Sequence, residues 1–154
     1  MTAVETAAVF RSWYHDRCGS EIDEMKLHKL LYLAQRESLI VLKKPLFREK
    51  IYAWQYGPVI PEVRRAYKLE DFPSLTTCSL PPKELSVLDY IFNTYAEKDS
   101  WSLSRLTHAE YSWQHAREQE NSGGGFREMP LADIRKDAMS AVQRRTSLKA
   151  LGLA

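Results

Sequence analysis

The sequence predicts a mainly α fold with a small β element (α+β). The expected form is one compact helical domain of about six helices plus a short antiparallel strand pair. Three observations predict it. Apolar residues recur at helical spacing along most of the chain, most regularly from Leu27 to Leu42. One aromatic run, Ile51 to Tyr56, alternates instead, as a strand does. The chain has 154 residues and shows neither an internal repeat nor a second-domain linker, so a single domain spans 1–154.

The elements follow in order. Thr2 and Glu5 have capping-box spacing and start a helix. Ala3, Ala7, Phe10 and Tyr14 share one face of it, with Trp13 beside them, and Gly19 suits its left-handed end. Asp23 caps the second helix. Leu27, Leu30, Leu31, Ala34, Ser38, Val41 and Leu42 form its core-facing stripe, while His28, Tyr32 and Gln35 lie on an adjoining face. Lys43 and Lys44 suit the helix dipole, and Pro45 ends the helix.

In the strand, Tyr52, Trp54 and Tyr56 face one way and Ile51 and Ala53 the other. A lone strand is unstable, so a partner is expected near Leu46-Phe47 or in Thr76–Leu80. Gly57-Pro58 breaks the strand, and Pro61 opens a short helix with Val59, Val63, Ala66 and Tyr67 on one face. Pro81-Pro82 starts the next helix, whose stripe is Leu85, Leu88, Ile91, Phe92 and Tyr95. Ser102 caps a short helix carrying Leu103 and Leu106, and Ser112-Trp113 opens another. Gly123 to Gly125 form a flexible connector. Pro130 begins a last helix with Leu131, Ile134, Ala138, Ala141 and Val142 on one face; 135–154 is a C-terminal helix and tail.

Composition narrows the function classes. A formal charge of +2 with interspersed signs gives no strong electrostatic case for nucleic acid or an anionic membrane. The longest apolar run, around Leu39 to Leu42, is far too short to cross a bilayer. The N-terminus lacks the pattern of a signal peptide, so a cytoplasmic protein is expected, with Cys18 and Cys78 as reduced thiols; a disulfide between them is the alternative.

Candidate chemistry is sparse. His15-x-x-Cys18 has no second pair to complete a zinc site. His108 with Glu110 and His115 suggests acid–base chemistry, with Thr107 or Ser112 as nucleophile, but no oxyanion feature accompanies them. A structural role for Thr107 and His108 at a helix end fits better. The glycine run lacks the Lys-Ser or Lys-Thr of a phosphate loop. Arg64, Arg65 and Lys68, and separately Arg135, Lys136, Arg144 and Arg145, read as solvated helix faces or as patches for an acidic partner. No catalytic residue, cofactor or metal is expected.

Three segments carry a family resemblance: LHKLLYLAQ at Leu27–Gln35, KPLFREKIYAWQYGPVIPEV at Lys44–Val63, and LSRLTHAEYSW at Leu103–Trp113. In this order and spacing they resemble the Panacea antitoxin domain, the SocA-like, phage-associated family, with core motifs over about 25–134. His28 stands where the family commonly has Gln, and Ser112 where it often has Pro. The resemblance implies an antitoxin of a two-gene toxin–antitoxin system, often prophage-borne. Such a protein neutralises a cognate protein toxin, encoded next to it, by direct binding. The alternative it implies is a proteolytic adaptor delivering the toxin to a ClpXP-type AAA+ protease. A DNA-binding autoregulator is a third reading, weakened by the mixed charge. The implied structural motif residues are Leu30, Leu31, Trp54, Gly57, Pro58, Thr107, His108 and Trp113, with Trp54 mainly in the core. The toxin-interface candidates are Tyr32, Tyr52, Tyr56, Arg64 and Tyr67, since Tyr, Trp and Arg dominate interface hot spots.

Overall fold

The structure is a computed structural model, and it describes residues 1–75, 79–119 and 127–153. Within these are seven helices and a three-stranded antiparallel sheet. The glycine run, Cys78 and the Thr76–Cys78 part of the proposed strand partner lie outside the described residues.

Helix α1 (Ala3–Cys18) starts at the predicted capping box: Glu5 N–H donates to Thr2 Oγ1, and Thr2 N–H to the Glu5 carboxylate. It ends at Gly19, whose φ of 70° places it in the left-handed region. Cys18 is an exposed free thiol.

Helix α2 (Glu24–Val41) is the axis of the fold. Asp23 caps it, accepting from Lys26 N–H at 2.8 Å. Every residue from Lys26 to Leu39 is buried, because α1, α3 (Pro61–Leu69), α4 (Pro82–Tyr95), α5 (Ser100–His108), α7 (Leu131–Ala150) and strand β2 (Gly57–Val59) pack around it. The predicted stripe is therefore only part of its buried surface. Leu27, Leu30, Leu31 and Leu33 are wholly inaccessible, and each such burial contributes up to about 2–3 kcal/mol. Val41, placed on the stripe by spacing, is exposed. The helix stops there, ahead of Pro45, and Lys43 takes a positive φ of 61°.

A helix buried all round needs partners for its polar side chains. Lys26 Nζ donates to the Ala96 carbonyl at the C-terminal end of α4 (3.0 Å), where a cation meets the dipole's negative end. Gln35 acts as a backbone surrogate: its amide donates to Phe47 O, and its carbonyl accepts from Leu46 N–H at 2.7 Å. Ser38 donates to Lys44 O. These bonds pin the crossing from α2 to the sheet.

The sheet order is β2-β1-β3, with β1 at Ile51–Trp54 and β3 at Glu128–Met129. This corrects the expected pairing. Gly57-Pro58 does not merely end the strand; it belongs to β2, which folds back on β1 with Trp54 opposite Gly57 and Ala53 opposite Pro58. Pro58 is tolerated because β2 is an edge strand. Ile51 pairs with Met129, far along the chain. Ile51 and Ala53 are buried as alternation predicts, but Trp54 is not core: it is 39% exposed, because the other face of the sheet is only partly covered.

Asp99, not Ser102, caps α5: its carboxylate accepts from Ser102 N–H. Helix α6 (Tyr111–Glu118) and α7 begin where Ser112-Trp113 and Pro130 indicated. Tyr32 Oη donates to Asp137 at 2.7 Å, and Ser112 donates both backbone N–H and hydroxyl to the same carboxylate. Arg36 meets Glu110 at 2.5 Å, and Arg145 makes two bonds to Glu37. This buried network fastens α7 to α2. After Ala141 the remaining α7 side chains are exposed, apart from half-buried Arg145. No helix among the described residues is long and apolar enough to cross a membrane.

Candidate protein-binding surface

The three motif segments meet at the tip of the β1–β2 hairpin. The first supplies α2, the second the hairpin, and the third α5 and α6. The two-residue turn, Gln55-Tyr56, projects Tyr56, which is 61% exposed. Trp54 lies beside it, with the Arg64 guanidinium 5.2 Å from its ring centroid. Arg64 is held from the other side by Glu24 at 2.7 Å. Trp113 Nε1–H donates to Trp54 O at 3.0 Å and ties the hairpin to α6. His108 stacks on Trp113 with centroids 4.0 Å apart, and Arg117 approaches the same indole at 5.9 Å. The result is a rim of aromatic rings interleaved with cations, the chemistry that anchors protein–protein interfaces.

Beneath the rim lies Gly57. Its φ of +130° is a conformation that side chains rarely adopt, and a Cβ there would meet Lys29 Cε at 3.2 Å and Thr107 Oγ1 at 3.5 Å. The glycine therefore allows the hairpin backbone to rest on α2 and α5. Lys29 is 1% exposed, and its Nζ has no hydrogen-bond partner among the described residues. Burial lowers its pKa, with Asp23 opposing. His108 Nε2 is likewise buried, with no partner at full hydrogen-bond geometry among the described residues. Burial and the nearby Lys29 charge lower the His108 pKa, and the Tyr56 backbone acts against them. Thr107 is occupied locally, donating to Leu103 O and Ser104 O.

His28 sits at the junction of β2 and α3. Its Nδ1 accepts from Ile60 N–H at 3.2 Å, at the N-cap of α3, and its Nε2 faces Glu24 at 3.2 Å. Burial lowers its pKa to about 4, against the raising effect of Glu24.

The predicted interface residues divide. Tyr56, Trp54 and Arg64 come together at the hairpin. Tyr52 is half-buried on the same strand. Tyr67 is half-buried and donates to Ile22 O at 2.8 Å, joining α3 to the α1–α2 connection. Tyr32 is fully buried, so it cannot meet a partner; α7 covers the helix face that was expected to be open. The residues proposed for acid–base chemistry are dispersed: Glu110 is paired with Arg36, His115 with Asp133, and Ser112 with Asp137. Among the described residues no group of three or more His, Cys, Asp or Glu side chains is placed to hold a metal ion. Lys29 was not singled out in the sequence. No local signal marks it, because His28 and Lys26 stand beside it on the helix and only long-range packing encloses it.

Residues 27–114 match the model of the family described as "Antitoxin SocA-like, Panacea domain". The chain belongs to this family. The match covers more than half of the chain and contains all three motif segments, but it stops short of α7, which lies outside the family region. No curated protein and no solved structure matches the chain in the other comparisons. The Panacea region thus contains most of α2, the hairpin, α3, α4, α5 and the start of α6, and the rim is built within it or, at Arg117, just beyond.

Proposed function

We propose that this Panacea protein is an antitoxin that neutralises a cognate protein toxin by direct binding, and that the hairpin rim is the contact surface. The observation that carries the reading is the exposed pair Trp54 and Tyr56 beside half-buried Arg64, assembled within an antitoxin-family region. Large aromatic rings left in water beside a guanidinium are what an interface hot spot requires. The toxin is expected to be the product of the adjacent gene, and binding would occlude or distort its active surface over an interface of ordinary size.

Co-expression tests this. The neighbouring product should be toxic alone and harmless with the wild-type chain, while the double variant Trp54→Ala/Tyr56→Ala should fold normally and lose protection. A toxic neighbour still suppressed by that variant would remove the rim from the mechanism. The Trp113 bond to Trp54 uses the backbone carbonyl, so the Trp54 substitution leaves that tether's atoms in place.

One observation favours a second reading, delivery of the toxin to an AAA+ protease. An adaptor needs a second surface, and the end of α7 with the residues after it, beyond the family region, exposes Val142, Leu148, Leu151 and Leu153. Toxin half-life in cells with and without the protease separates the two: unchanged toxin abundance with full protection rules out delivery.

A further inference from the structure

Every buried polar side chain on α2 has a partner except Lys29. Lys26 caps α4, His28 holds Ile60, Tyr32 holds Asp137, Gln35 and Ser38 clasp the 44–47 crossing, Arg36 meets Glu110, and Glu37 meets Arg145. Lys29 Nζ alone among them ends against nothing that accepts a hydrogen bond. An uncompensated buried ammonium is costly, whereas a methionine, one atom shorter, would pack there without that cost. The His108 ring lies near enough to Lys29 for the ammonium charge to lower its pKa, and it faces the Tyr56 backbone at the hairpin tip. The buried Lys29 ammonium and the His108 imidazole thus lie under the hairpin tip, beside Gly57 and the Tyr56 backbone respectively.

We propose that Lys29 and His108 form a carboxylate-binding site under the hairpin tip, filled by an Asp or Glu side chain of the bound toxin. This rests on the antitoxin reading and names the chemistry of its contact. A carboxylate matches the site in charge and in hydrogen bonding: it neutralises one ammonium and offers a second oxygen to an imidazole N–H. A backbone carbonyl would leave the charge uncompensated. A phosphate calls for more cations than the site provides, since Arg64 is already committed to Glu24. Both nitrogens are closed off in the free protein, so the acid enters as the Gln55-Tyr56 tip lifts. The tip is held by the β1–β2 pairing, the Trp113–Trp54 hydrogen bond, the Arg64–Trp54 stack and the His108 contact with the Tyr56 backbone.

The test is Lys29→Met in the full chain. Removing the unpaired charge should raise the thermal midpoint of the free protein. Affinity for the neighbouring gene's product should fall about 30-fold or more, as when one member of a buried charge pair is lost, and protection on co-expression should fail. One Asp or Glu of that product, changed to Asn or Gln, should weaken wild-type binding equally and have no further effect on Lys29→Met. Binding by Lys29→Met within twofold of wild type overturns the proposal, as does the absence of any such coupled acid. If the neighbouring product does not bind the wild-type chain at all, the antitoxin reading fails separately. Sodium acetate then probes the site, read by tryptophan fluorescence against sodium chloride at equal ionic strength. A saturable response in wild type that Lys29→Met abolishes supports the site; identical responses of the two proteins refute it.

Discussion

Acid should loosen the junction between the hairpin and α3, and His28 is the group responsible. Its Nδ1 accepts from the Ile60 N–H, so a proton there would set two donors against each other in a buried site. Burial accordingly holds its folded pKa at about 4, below the ordinary value of 6.5. The sign follows directly. Between those values the unfolded chain binds the proton and the folded one does not, so stability is full above pH 6.5 and falls as pH drops toward 4. From the two pKa values, the loss is about 2 kcal/mol at about pH 5 and approaches about 3 kcal/mol once pH is below the folded value. Other groups titrate nearby: burial also lowers His108, which adds to the loss, and raises Glu110, which opposes it. The comparison that isolates His28 is therefore wild type against His28→Gln. Glutamine can keep an acceptor for Ile60 N–H and a donor for Glu24 but cannot titrate. Urea unfolding at a series of pH values, followed by tryptophan fluorescence, should show wild type losing about 2 kcal/mol more than His28→Gln between about pH 7.5 and about pH 5. A difference between the two proteins that stays flat across this range would refute the assignment of His28 as a buried neutral imidazole.

Three further substitutions probe the frame around the rim. Glu110→Ala leaves the Arg36 guanidinium buried without its 2.5 Å partner and should cost about 3–5 kcal/mol in urea unfolding. Gly57→Ala forces a side chain into a φ of +130° and against Lys29 Cε; a loss of about 1–3 kcal/mol is expected in thermal melts, with the near-ultraviolet signal of Trp54 and Trp113 altered. Ending the chain after Thr146 removes exposed residues while keeping the Arg145–Glu37 pair, so unfolding free energy should change by only about 0.5 kcal/mol; a large drop would show that the end of α7 packs on the domain.

What could be read in advance depended on whether the information was local. The caps at Thr2 and Asp23 and the stop at Gly19 were legible because the chemistry that makes them lies within a few residues. The core face of β1 was legible from alternation. Which face of a sheet is covered is a different question, answered by distant segments, and for that reason Trp54 was placed in the core when it stands at the rim. Tyr32 failed in the opposite sense. Its position off the Leu27–Leu31 stripe is an open face only if α2 has one, and α7, more than a hundred residues away, closes it through Asp137. The same long-range closure hid Lys29. On an amphipathic helix a lysine beside the stripe reaches water and needs no account. On a helix enclosed on all sides it becomes the one buried side chain there without a hydrogen-bond partner among the described residues, with the Gly57 hairpin lying across it.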